Sequence, residues 1–88
     1  MSAAYQVRVT ARAGRDLYRL PQKIAAACIE FIAGPLADNP RGLGKPLHAE
    51  LAGLHSARRG DYRVIYEIDD DQGALVIEHI DRRSDVYR

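Results

Sequence analysis

Between Tyr62 and Ile68 the chain reads YRVIYEI, in which Tyr62, Val64, Tyr66 and Ile68 alternate with Arg63, Ile65 and Glu67. Successive side chains of a strand point to opposite faces, so the stretch predicts a strand whose tyrosines, valine and isoleucine meet a packed layer. Arg63 then stands on the other face. A lone charge under a helix is costly, and a chain of 88 residues can cover only one face of a sheet with helices. The reading is a sheet packed on one side, with Arg63 on the open side.

The remaining segments supply the layers. Residues 5–10, YQVRVT, show the same period of two and predict a first strand. From Ala11 the period changes: Ala13, Leu17 and Leu20 share a helical face over about residues 12–19, and Pro21 ends the run because its ring cannot continue the hydrogen-bond ladder. Pro21 also suits the first turn of a second helix, having no amide proton to leave unpaired. In that helix Ile24, Cys28, Phe31 and Ile32 recur at spacings of three and four, Gly34 and Pro35 weaken its end, and Asp38-Asn39-Pro40 stops it.

Residues 39–53, NPRGLGKPLHAELAG, contain two prolines and three glycines and predict an irregular connection long enough to be functional. A brief strand follows around 54–58, then a turn at Arg59-Gly60-Asp61, the strand 62–68, an acidic hairpin connection over 69–73 and a β-rich run over 74–80. The order β-α-α-β-β-β lacks a repeated βαβ crossover. It predicts an α+β fold: a small antiparallel sheet with two N-terminal helices on one face, the first strand at an edge or inserted, and a short polar C-terminal segment. Residues 1–88 are expected to form a single domain.

Composition narrows the function classes. With 47% hydrophobic and 28% charged residues the chain has the makings of a globular core. Its single cysteine, Cys28, has no second thiol for an internal disulfide or a metal pair. No segment approaches the ~18 consecutive apolar residues of a membrane span, and the start has no basic region followed by an apolar run, so a cytoplasmic protein is expected. A net charge of +1 makes no global case for nucleic acid, yet Arg41, Lys45, Arg58, Arg59 and Arg63 gather in a stretch whose only acids are Glu50 and Asp61.

Phosphate-loop, dinucleotide, zinc-hydrolase and serine-elbow motifs are absent. His48, His55 and His79 are too scattered to read as metal ligands, so no metal or cofactor is expected. What remains is cationic: Arg58, Arg59 and Arg63 at one hairpin, Arg82 and Arg83 past the last strand, and Tyr87 beside Arg88. Regular pairing across the 69–73 turn places residue 63 beside residue 79, so the two clusters converge at one end of the sheet. Arginines without matching acids are costly to hold together unless an anion compensates, and planar guanidinium forks suit phosphate.

GDYRVIYEI from Gly60, the ending RRSDVYR and the preceding NPRGLGKPL and LAGLHSAR together resemble the RelE/ParE toxin superfamily of type II toxin–antitoxin pairs, with the RelE branch the nearer likeness. The resemblance implies a ribosome-dependent endoribonuclease that cleaves mRNA in the A site by attack of a 2′-hydroxyl on the adjacent phosphodiester, without metal, and that a cognate antitoxin with an acidic, partly disordered segment silences. Arg63 resembles the family's strand arginine and is expected to stabilise the phosphate; Tyr87 resembles its C-terminal tyrosine, a proton-transfer or base-orienting group. Arg83 fits the ending, although a slip of one residue would put Arg82 on the site instead. Arg58 and Arg59 add phosphate-binding charge.

One departure stands out. Where RelE-type nucleases carry lysines on the strand before the arginine, this chain has Leu54, His55, Ser56 and Ala57. His55 is then the candidate base, and Lys45 from the loop a source of charge. The alternative reading, from the ParE side of the superfamily, is a protein-binding inhibitor of DNA gyrase, or a weakly active toxin that serves mainly as an antitoxin-bound corepressor.

Overall fold

The structure, a computed structural model, describes residues 4–82. Strand β1 (Gln6–Val9) leads into helix α1 (Ala11–Arg19) through Thr10, whose backbone is still extended where the helix begins. The Thr10 hydroxyl accepts from the Ala13 amide at 3.1 Å and donates to the Glu78 carbonyl at 3.2 Å, so one side chain starts the helix and ties it to the far strand. Leu20 ends α1 with extended backbone, and α2 (Gln22–Phe31) follows with Pro21 as its flanking residue.

The expected weakening at Gly34-Pro35 takes a definite form. Pro35 has no N–H to give the Phe31 carbonyl, and the helix widens over Ile32–Leu36 into a π turn, in which the Ala37 amide reaches the Ile32 carbonyl. Leu36 and Ala37 are buried by this turn. Asn39 then accepts from the Gly42 amide at 3.1 Å and opens the one-turn helix α3 (Pro40–Leu43).

The connection expected to be irregular thus holds α3, a two-residue strand β2 (Lys45–Pro46) and a 3₁₀ turn at Ala49–Leu51. Strand β2 pairs with β3 (His55–Arg59) and adds a fifth strand to the sheet. Pro46 cannot donate to a further neighbour, which suits β2 to the edge. The strands β4 (Tyr62–Asp69) and β5 (Ala74–Arg82) complete the order β1-β5-β4-β3-β2. The pairs from β2 to β5 are antiparallel as expected; β1 lies at the opposite edge, parallel to β5, because two helices intervene before the chain returns to the sheet.

The pairing register differs from the expected one. Arg63 faces Asp81, not His79. Asp69 pairs with Ala74, so the connection closes one step later than a regular pairing centred on residue 71, and an extra β5 residue, Glu78, lies between the partners of Ile65 and Tyr66. Both shifts push Arg63 toward the C-terminal end of β5.

One face of the sheet carries the core. Val64, Tyr66, Ala57, Leu75, Ile77 and Ile80 meet Ala13, Ile32, Leu36 and Ala37 from the helical layer, with Leu17, Leu20, Phe31 and Ile68 at the margin. The alternation in YRVIYEI sends Arg63 and Glu67 to the face away from these helices, and cross-strand pairing puts Ser56 and Arg58 of β3 on the same face.

Candidate functional site

Arg58 and Arg63 are cross-strand partners on β3 and β4, and Lys45 of β2 is paired with Ser56 next to them. The three cations line one groove together with Gly44, Pro46, His48 and Ser56, floored by the sheet and walled by the connection from Leu43 to His48. The groove encloses ≈ 620 Å³, within the range of small-ligand sites and ample for a phosphodiester with its flanking sugars. Like charges opposed across a strand pair repel, so Arg58 facing Arg63 carries a cost that an anion between them would relieve.

Arg63 is not without an acid. Its Nε and Nη2 donate to the two carboxylate oxygens of Asp81 at 3.3 and 3.2 Å, in a pair about one-quarter exposed. This corrects the expectation of arginines with no matching acid, and the cause is the register: the shifted pairing brings Asp81 where His79 was expected. His79 instead bridges to helix α1. Its Nδ1 lies 2.7 Å from Asp16 Oδ2, an oxygen that also accepts from the Ile80 amide at 3.0 Å. Burial works against the charge on Asp16, but the Ile80 amide, His79 and the nearby Arg12 together hold its carboxyl below the usual range.

The other expected site residues divide by face. His55 shares its face with Ala57, against the core, and its ring stacks on Tyr66 with centroids 5.6 Å apart. Its Nδ1 is buried without a hydrogen-bond partner among the described residues. Arg59 lies beside Cys28, Ile24 and Tyr62 on the helix side, where burial pushes the Cys28 thiol up. Arg82 sits over the Tyr62 ring at 5.9 Å and lines a cleft with Asp16, Arg19 and Ile24. His55, Arg59 and Arg82 therefore do not share the face of Arg63, although Arg82, paired with Tyr62, stands at the end of the sheet where the two arginine stretches were expected to meet. Alternation from buried Ala57 carries this sorting in the sequence itself. Arg83 and Tyr87 lie outside the described residues.

Two polar residues of the groove, Ser56 and His48, were missed, as was Asp81, the partner of Arg63. Ser56 shares parity with Arg58 and was legible. Asp81 needed the register, and His48 needed the fold of the connection, for which no local pattern exists. Among the described residues no group of three or more His, Cys, Asp or Glu side chains is placed to hold a metal ion, and no helix is long and apolar enough to cross a membrane.

A mixed sheet with its helices on one face and a cationic groove on the other defines the class of protein that comparison then specifies. Residues 7–87 match the family model described as ParE toxin of type II toxin-antitoxin system, parDE, and the chain belongs to that family. It is 64% identical over 84 residues to Toxin RelE of Mycobacterium tuberculosis, covering 96% of this chain and 87% of that one. To Toxin RelG of the same organism it is 52% identical over 84 residues, covering 96% and 97%. Among solved structures, the toxin–antitoxin complex RelBE2 of M. tuberculosis superposes with a TM-score of 0.90 at 49% identity, covering 96% of this chain and 97% of the matched one. The isolated E. coli RelE toxin shares the fold, with a TM-score of 0.74 at 17% identity over 96% and 92% of the two chains. The chain is a type II toxin of the RelE kind.

Proposed function

We propose that this toxin is a metal-independent endoribonuclease that cuts mRNA in the ribosomal A site, in the cytoplasm, and that a cognate antitoxin holds it inactive in a hetero-oligomer. The observation that carries the reading is the groove in which Lys45, Arg58 and Arg63 surround one open space. Its kinship with toxins named RelE and RelG supports the substrate class, and its likeness to the RelBE2 complex supports the partner.

Cleavage by a neighbouring 2′-hydroxyl asks for three things: a base for that hydroxyl, positive charge for the phosphorane as it forms, and an acid for the departing 5′-oxygen. Arg63 and Arg58 supply charge from the sheet, and Lys45 supplies it from the edge strand. With His55 turned toward the core, His48 is the imidazole on the groove wall and takes the proton-transfer role proposed for this site. Tyr87 and Arg83 keep the roles that the family resemblance implies.

Toeprinting of mRNA on programmed ribosomes tests the reading. The wild-type toxin should give new A-site products, Arg63→Ala should lower their rate by about 100-fold to 1,000-fold, the loss typical of one preorganised donor to a developing oxyanion, and His48→Gln should flatten the pH profile. Unchanged DNA gyrase supercoiling should accompany cleavage. Absence of A-site products from wild-type protein, or trapped gyrase-cleaved DNA, would overturn it.

A further inference from the structure

We propose that Asp81 is the positioning residue for Arg63, and that Asp16, acting through His79, fixes Asp81 from helix α1. The proposal rests on the ribonuclease reading for its kinetic consequences. The geometry begins with the cross-strand pair, in which Asp81 takes the Nε and Nη2 edge of the guanidinium and uses two of its five N–H groups. The edge that includes Nη1 is left for the groove. Arg58, the other cross-strand neighbour of Arg63, carries the same charge and cannot order it.

Asp81 is itself held. Two residues back on β5, the Nε2 of His79 lies 3.5 Å from Asp81 Oδ2, the oxygen that receives Arg63 Nη2. His79 Nδ1 faces Asp16 Oδ2 at 2.7 Å, and Asp16 is anchored in turn by the Ile80 amide. The groups facing this imidazole are Asp16 and Arg12 from α1 and Asp81 from its own strand, with Arg63 of β4 beyond. A neutral ring donates Nδ1–H to Asp16 and presents Nε2 as an acceptor, which matches Arg12 Nη2 at 3.3 Å. A protonated ring must donate from Nε2 as well, and its nearest acceptor there is the Asp81 oxygen that Arg63 uses. The chain from Asp16 through His79 to Asp81 and Arg63 therefore closes when His79 is protonated and Nε2 donates to Asp81, which couples the orientation of Arg63 to α1 through contacting side chains.

The alternative is that Asp81 merely neutralises Arg63 and competes with phosphate. The two predict opposite signs. On programmed ribosomes, Asp81→Asn should lower kcat by about 10-fold to 100-fold, on the scale of a ~1 Å misplacement of a reacting group, with KM little changed; Asp81→Glu should recover part of the loss. In an Arg63→Ala background Asp81→Asn should cause no further loss, because both changes remove one function. Asp16→Asn should alter the pH profile of wild-type cleavage, leaving that of Arg63→Ala unmoved. A rise in cleavage with Asp81→Asn, or additive losses in the double variant, would overturn the proposal.

A second readout does not depend on activity. In ¹⁵N–¹H spectra of the full-length toxin, the Arg63 Nε–H should be resolved and slow to exchange in the wild type, and should join the fast-exchanging arginines in Asp81→Asn. An Arg63 signal equally protected in both proteins would overturn positioning even with ribonuclease activity intact. A protected signal that depends on Asp81 in a protein that cuts no mRNA would instead uphold the positioning and refute the ribonuclease reading.

Discussion

Tyr66 shows how much one side chain can fix. It is fully buried on β4, and its hydroxyl donates to the Pro40 carbonyl at 2.6 Å, joining the sheet to the start of α3. Gly44 lets the chain pass close by: a Cβ there would strike the Tyr66 hydroxyl and the Ser56 carbonyl oxygen. The groove wall from Leu43 to His48 is therefore set by a core tyrosine on the reverse face. Tyr66→Phe leaves the Pro40 carbonyl without its donor and should cost about 1–3 kcal/mol, read from urea unfolding. Burial pushes the Tyr66 phenol up to about 12. Because its folded value is raised above the unfolded value near 10, the neutral phenol's contribution is complete below about pH 10 and is lost as pH rises through about 12. Absorbance at 295 nm should show one of the five tyrosines titrating late, and Tyr66→Phe should remove that late step.

At the scale of elements, the clear signals were those with several residues behind them. The period change at Ala11, Pro21 between the helices and the alternation in β4 each rest on a repeated pattern or a residue that forbids continuation, and each places an element in the structure. Strand β2 has only Lys45 and Pro46, too few to show a period. The β4–β5 register depends on one inserted residue, Glu78, which leaves no mark on local composition. Together with the later closure of the turn, that insertion moves Arg63 from His79 to Asp81. The site suffered for the same reason: Arg63, Arg58 and Lys45 were read as a group and share the groove, whereas His55 was read by chemical type when its parity with Ala57 sent it to the core. The junction of β1 and α1 gives the prediction at this scale. Thr10→Ala removes both the N-cap acceptor for Ala13 and the donor to Glu78, the inserted residue. It should cost about 1–2 kcal/mol in thermal or urea unfolding, with Thr10→Ser recovering most of it.

On the scale of the molecule, two carboxylates hold segments distant in sequence. Asp16 fastens α1 to β5 beyond the end of β1, where it accepts the Ile80 amide that has no strand neighbour to receive it. Asp70, in the β4–β5 turn, accepts from Arg41 of α3 at 2.6 Å and from the Tyr5 hydroxyl at 2.7 Å, closing the sheet edge over the start of the chain. Both carboxyls are held below their usual range. For Asp16 burial opposes the charge and is outweighed by the Ile80 amide, His79 and Arg12; for Asp70 the hydrogen bond from Arg41 leads, helped by Tyr5. A depressed folded value means that each contribution is present above the unfolded value near 4 and is lost as pH falls through the lower folded value. The exposed Asp70 pair is open to salt screening, while Asp16 is sheltered, so the two separate by ionic strength. Unfolding midpoints measured from pH 6 to pH 2 should fall with acid in the wild type. Asp16→Asn should flatten that fall at both low and high salt, whereas Asp70→Asn should flatten it mainly at low salt. An acid limb unchanged by Asp16→Asn would mean that α1 is held by its apolar face alone, through Ala13, Leu17 and Leu20.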